Sequence, residues 1–196
     1  MTRGTSIAAA FLAIGFGFIS LVLLVIEPRM GFATLADYFD PSKVFAAAAS
    51  PAWILGDIVY IGLGVALAYL AVTSADAPLR AAGLVAAVGF FLVGCLGRVA
   101  GSIPSLVGAT NQGEAALLGL LSVRLAVLRT SVFSLGIVAW RTTVTEAGRG
   151  PGPVLWRGFG LLVLAASIAF VFVFLPVPLL FAVWAAWFTV RQLRDA

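Results

Sequence analysis

The chain has no histidine, a single cysteine and very little charge for its length. Without histidine there is no imidazole for acid–base or Ser-His-Asp catalysis, no His-ligated haem, and almost none of the usual zinc or copper chemistry. With Cys95 alone, no intrachain disulfide or thiolate cluster can form. Flanked by Val93, Gly94 and Leu96, that cysteine reads as a small buried hydrophobe. Asp, Glu, Lys and Arg make up 10% of the 196 residues, against about 25% in a soluble domain. Hydrophobic residues make up 62%, and the mean hydropathy is +1.13. So little polar surface cannot cover a water-facing globule, which excludes a soluble fold, a disordered chain and a nucleic-acid-binding domain. An all-α polytopic membrane protein remains, read as one transmembrane domain over residues 1–196.

Long apolar runs are what the chain does have. A spanning helix needs about 20 apolar residues, and six candidates follow one another at 7–26, 52–72, 81–100, 115–140, 159–175 and 179–193. The first is longer than the roughly 7–15-residue core of a signal peptide and predicts a retained helix. Pro176 and Pro178 interrupt the last apolar stretch, so Leu175-Pro176-Val177-Pro178 reads as a tight turn between helices five and six rather than a kink in one long helix.

The basic residues set an orientation. Arg3, Arg80, Arg141, Arg149, Arg157, Arg191 and Arg194 fall on one side of this topology, and only Arg29 and Lys43 on the other. The positive-inside rule then places both termini in the cytoplasm. Trp53, Trp140 and Trp156 fall at predicted membrane interfaces. Lys43 is the sole lysine among much Ala, Gly and Val, the bias of a GC-rich bacterial genome. The expected location is therefore a bacterial inner membrane.

The longest connection runs from Glu27 to Pro51 on the outer side. Asp40-Pro41-Ser42-Lys43 carries an N-cap residue followed by proline at the first helical position, a helix start, and Thr34 to Phe39 suggests a shorter turn before it. Phe32, Leu35, Phe39, Val44 and Phe45 are too apolar to face water, so one or two short helices are expected on the outer membrane face or capping the bundle. A faint repeat also shows: Leu63-Gly64 late in helix two and Leu135-Gly136 late in helix four are each followed by an inner loop and then Arg-x-x-Gly-Leu, at Arg80 to Leu84 and Arg157 to Leu161.

Ionisable groups inside spans are costly, by roughly 2.5 kcal/mol or more near the centre, and so mark special positions. Asp57, Arg98, Arg124 and Arg129 lie within spans, and Glu114 stands at the outer end of helix four. Counting residues places Asp57, Arg98, Glu114 and Arg124 in the outer half of the membrane. Asp57 is expected to pair with Arg124 or Arg98, with Tyr60 one turn away as a donor. Arg129, five residues beyond Arg124, faces another direction and points towards the inner half. The group either fixes helix register, or forms an outward-facing pocket for an anionic or amphiphilic ligand, or serves ion-coupled transport. Gly97 and Gly101 form a GxxxG beside Arg98, suited to close helix packing. Gly148 to Pro153 lacks the Lys-Ser/Thr of a phosphate loop and reads as a linker. The 15 phenylalanines could line a quinone, carotenoid or lipid site, although no spacing marks a pocket.

Four stretches carry a family likeness: the N-terminal span with its long outer loop, Ile54-Leu55-Gly56-Asp57, Ser134-Leu135-Gly136-Ile137, and Trp156-Arg157-Gly158-Phe159-Gly160-Leu161. On these the chain resembles an uncharacterised family of six-helix bacterial integral membrane proteins, a domain of unknown function. Members often carry an acidic residue in the last helix, which Leu179 to Val190 lacks. The resemblance implies a six-helix topology and no activity.

The expected function is non-enzymatic: an accessory subunit of a bacterial membrane complex, or a binder of a lipophilic ligand such as a lipid, quinone or pigment. No nucleophile has a base beside it in the sequence pattern. The alternative is a small transporter using Asp57, Arg98 and Arg124. Expected partners are the lipid bilayer and other membrane subunits, with no nucleic acid.

Overall fold

A computed structural model describes residues 3–32, 34–48, 50–107, 111–147, 153–172 and 177–194. Among them there is no strand. Helix α1 (Arg3–Leu21) runs through a π turn (Val22–Ile26) into the short α2 (Glu27–Arg29). A 3₁₀ turn (Leu35–Phe39) and α3 (Pro41–Ala48) occupy the long connection. Then come α4 (Pro51–Thr73), α5 (Ala77–Val107), α6 (Asn111–Ala147), α7 (Pro153–Phe172) and α8 (Val177–Arg194).

Helix starts follow local chemistry. Asp40 Oδ1 accepts from Ser42 N at 3.0 Å, Ser50 Oγ from Trp53 N at 3.3 Å, and Asp76 Oδ1 from Leu79 N at 3.2 Å. Each cap satisfies an N–H that has no partner within its own helix, and a proline follows within two residues, where its missing N–H costs nothing. Inside the helices, buried hydroxyls bond back to their own backbone: Ser20 to Phe16 O, Ser131 to Val127 O and Ser167 to Val163 O, each at 2.7 Å. These bonds satisfy the three hydroxyl protons in an apolar interior.

Five helices are long and apolar enough to cross a membrane: Gly4–Arg29, Pro51–Thr73, Ala77–Ile103, Gln112–Thr145 and Val154–Val171. The protein is thus an all-α, membrane-embedded helix bundle. The stretch expected as a sixth span lies in a shorter apolar helix, Val177–Leu193, about 25 Å long against a hydrocarbon core of about 30 Å. The chain does reverse between α7 and α8. Trp156 near the start of α7 stacks on Trp187 late in α8 at 4.7 Å, so the two helices run in opposite directions; residues 173–176, where the turn was expected, lie outside the described residues, as does most of the expected linker, 148–152.

Neighbouring helices alternate in direction around a ring. Each of α4 to α7 packs on the next, α1 packs on α4, and α8 packs chiefly on α1 rather than on α7. Phe16 of α1 contacts Phe181 of α8 at 5.3 Å and Phe90 of α5 at 5.7 Å between ring centroids. The start of α1 and the end of α8 therefore meet at one end of the bundle, here called the termini end, and the α1–α4 connection forms the opposite, loop end.

The repeat has a physical counterpart. A Cβ at Gly64 would come 2.8 Å from Phe91 N, and one at Gly83 would come 2.9 Å from Ala71 Cβ. In the second hairpin, Gly136 meets Ser167 Cβ at 2.6 Å, and Gly160 meets Thr143. The same two positions bring α4 against α5 and α6 against α7, as small residues do where helix backbones approach closely.

Two helices are longer than their apolar segments implied. α5 and α6 contain 31 and 37 residues, so α6 is about 55 Å long. Their loop-end halves pack against the connection between α1 and α4, where Phe32, Val44 and Ala47 are buried with Ile103, Leu117 and Leu121. The 3₁₀ turn and α3 thus cover the loop end of the α5–α6 pair.

Candidate functional site

The loop end encloses a cavity of about 120 Å³. Aliphatic side chains from α1, α5 and α6 make most of its wall, among them Ile19, Leu23, Val93 and Leu128. Its polar wall is Glu27, Tyr38, Trp53, Asp57, Tyr60 and Arg124.

Asp57 anchors that wall. It is 4% exposed on α4. Arg124 Nη2 of α6 donates to its Oδ1 at 2.5 Å, and Arg98 Nη1 of α5 lies 3.6 Å from its Oδ2. Arg98 is the looser partner, since that nitrogen has no hydrogen bond of good geometry. A buried carboxylate holding two guanidinium groups offsets the desolvation that would make any one of these charges costly alone. Gly97 makes the approach possible, because a Cβ there would overlap the Asp57 carboxylate and sit 2.8 Å from Arg124 Cζ.

Glu27 is the second acid, 5% exposed. Pro28 explains its position. A proline ring clashes with the carbonyl four residues back and donates no hydrogen bond, so the helix widens just upstream and Glu27 N bonds to Val22 O, five residues away. Such π turns recur at functional sites. This one carries Glu27 round towards the face where Val22 is buried.

The connection roofs the cavity. The Tyr38 hydroxyl donates a short hydrogen bond to Glu27 Oε2, and the Tyr38 ring lies 5.0 Å from Phe32, which in turn lies 5.3 Å from Trp53. Burial, then the nearby Glu27 charge, push the Tyr38 pKa well above its ordinary value, so the hydroxyl stays a donor. The 3₁₀ turn is fixed from below by Asp37, whose Oδ2 accepts from Thr34 N at 2.6 Å and whose Oδ1 pairs with Lys43 at 2.5 Å. Lys43 also donates to Gly31 O at 3.1 Å, and Gly31 takes a φ of +88° that suits glycine.

No family model, curated protein or solved structure matches the chain.

The structure therefore joins Asp57, Arg98 and Arg124 and places Tyr60 on the same cavity. Tyr60 does not donate to Asp57. Its ring stacks on Phe90 at 6.0 Å with the planes 7° apart. Glu114 is not brought in. It sits in the first turn of α6, where a carboxylate complements the helix dipole, ten residues and about 15 Å from Arg124. Arg129 is half-buried and makes no ion pair among the described residues. Gly97 carries a close contact and Gly101 lies one turn further along α5. Cys95 is half-buried. Among the described residues no three Cys, Asp or Glu side chains gather as a metal-ligand set.

Sequence reasoning missed Glu27, Tyr38 and Trp53 as members of the site. Only two signals pointed to them: an acid directly before a proline at the end of an apolar helix, and a connection too aromatic for water.

Proposed function

We propose that this is a non-enzymatic membrane protein that binds a lipophilic ligand by a compact polar head seated in the loop-end cavity. The carrying observation is the cavity itself: aliphatic walls on three helices and hydrogen-bonding groups gathered on one side. That distribution is typical of small-molecule sites. A volume of about 120 Å³ is close to the roughly 150 Å³ apolar cavity that holds benzene, which suits one ring or a small headgroup but not a tail. The head is neutral or zwitterionic, since Glu27 and Asp57 balance Arg98 and Arg124. A quinone ring or a lipid head meets these terms, its tail leaving between helices.

In the same reading α8 crosses as a sixth helix, supported by its antiparallel packing on α1 and by the six-helix resemblance. The excess of basic residues towards the termini end supports placing that end in the cytoplasm, in a bacterial inner membrane. Partner subunits would pack on the lipid-facing surfaces.

The test is native mass spectrometry of the protein extracted from its own membranes, beside the cavity-filling variant Leu128→Trp. The reading expects a bound small molecule in the wild type and its loss in the variant. The same adducts in both, or none in either, would overturn it.

A further inference from the structure

Helix α6 carries three arginines, Arg124, Arg129 and Arg141. Two of them have a carboxylate: Arg124 pairs with Asp57 at 2.5 Å and Arg141 with Asp76 at 2.8 Å. Arg129 lies between them along the helix and makes no ion pair or hydrogen bond among the described residues. It also stands inside the lipid-facing belt. Val123 and Val144 are exposed on the same helix, six residues away on the loop-end side and fifteen on the other. Arg129 is thus about 9 Å and 22 Å from these apolar positions. A guanidinium keeps its charge in such a place, and lipid tails offer it no acceptor.

Its position on the helix says what could reach it. Ser122, Ala126, Thr130 and Phe133 form an exposed stripe of α6. Arg129 flanks that stripe, about 60° round the helix from Ala126. The first three side chains are small, which lets a second helix approach closely, and the Thr130 hydroxyl is spent on Ala126 O at 3.1 Å. On the stripe's other flank a groove of about 520 Å³ runs between α5 and α6, walled by Val85 and Val88 from one helix and Ala126 and Val127 from the other. A helix laid on the stripe would fill this groove with apolar side chains and bring its opposite flank to Arg129.

This chain does not supply the missing acid. Asp57 and Glu27 are buried. Glu114 and Glu146 lie 15 and 17 residues from Arg129 along α6, more than about 20 Å away. The others lie in the α1–α4 connection, at Asp76 beyond α4 and at Asp195 beyond α8. A second copy set side by side in the same orientation therefore brings no carboxylate to this depth.

We infer that this face of α6 docks a transmembrane helix of a different protein, and that the helix carries an Asp or Glu level with Arg129. Either ion alone in lipid is costly; side by side each offsets the other's desolvation. The pair sets the depth at which the partner seats, and the groove takes its apolar side chains. The inference needs the bundle in a bilayer but no ligand in the loop-end cavity.

The experiment reconstitutes the full chain in phosphatidylcholine vesicles with a minority of phosphatidylglycerol. The probe is a synthetic single-span leucine–alanine helix with one Glu, Gln or Leu, placed either at the depth of Arg129 or near the membrane surface. Retained peptide is counted by native mass spectrometry. The Glu peptide should be retained at least tenfold more than the Leu peptide, and only with Glu at the matching depth. Arg129→Leu should abolish that preference. Arg129→Glu should transfer it to a peptide with Arg at the same depth, which separates a lost contact from a lost fold. Ala126→Trp, at an exposed position, should block retention without lowering the melting temperature. Leu128→Trp, in the loop-end cavity, should leave it unchanged. Equal retention of the Glu and Leu peptides, or a preference that survives Arg129→Leu or ignores depth, would overturn the proposal. Phosphatidylglycerol retained through Arg129, with no preference for the Glu peptide, would overturn it too and assign the arginine to lipid phosphates.

Discussion

Asp57 and Arg124 stand 67 residues apart in the chain and 2.5 Å apart in the fold. Their bond ties α4 to α6 across α5, beside a cavity. Breaking it from one side should leave a guanidinium buried without its counter-charge. Asp57→Asn is expected to destabilise the protein by about 3–5 kcal/mol, the usual cost of orphaning a buried ion. Asp57→Asn combined with Arg124→Gln should recover part of that loss. Thermal melting in detergent checks both, and a single variant that melts like the wild type would show that the pair does not hold the helices together.

Tyr38 is the catch of the roof. Tyr38→Phe removes the hydroxyl that bonds Glu27 and keeps the ring that packs on Phe32. The cost should be about 1–2 kcal/mol. Its location is more telling than its size: amide exchange should accelerate over residues 35–48 and stay unchanged in α7 and α8. Uniform acceleration across the bundle would mean that the connection is not held by this bond.

How far the sequence revealed this arrangement depends on the element. Pro51 to Thr73 was legible almost to the residue, since an apolar run bounded by a Ser-Pro cap and polar loop residues leaves little freedom. The Asp57–Arg124 pairing was legible too, because few charges share one depth in a membrane and they must find each other. α5 and α6 were underestimated because hydropathy ends a span where small, polar or charged residues replace the apolar run, whereas a helix continues while backbone bonds and packing allow. Glu27 was hidden for a different reason. Its inward turn comes from a π bulge that Pro28 imposes, and a bulge breaks the regular period on which sequence reading relies. The packing of α8 was invisible because it meets α1 only by closing the ring, a contact between distant parts of the chain that no local pattern encodes.

Glycines in this bundle should respond in opposite ways. Gly97→Ala places a methyl group on the Asp57 carboxylate and should cost about 1–3 kcal/mol through forced repacking. Gly17→Ala, where no atom lies within 4 Å of the new Cβ, should instead stabilise α1 by about 0.5–1 kcal/mol. The two melting temperatures should move apart, and a shift in the same direction for both would contradict the packing at Gly97.

Acid should loosen the termini end through Asp76. Its hydrogen bond from Arg141, then the one from Leu79 N, hold its pKa below the ordinary 3.8. A group whose pKa is lowered by folding stabilises the fold above its unfolded value, and that contribution is lost as pH falls through the folded one. The wild-type melting temperature should therefore hold from pH 7 to about 5 and fall below about 4. Asp76→Asn should melt lower than the wild type at pH 7, with the gap closing as pH drops below 3.8. A residual acid slope in the variant belongs to Asp40, whose pKa is lowered by its hydrogen bond from Ser42. A gap that stays constant from pH 7 to 3 would show that Asp76 acts only as a helix cap, a role that asparagine fills as well, and that its charge adds nothing at this end of the bundle.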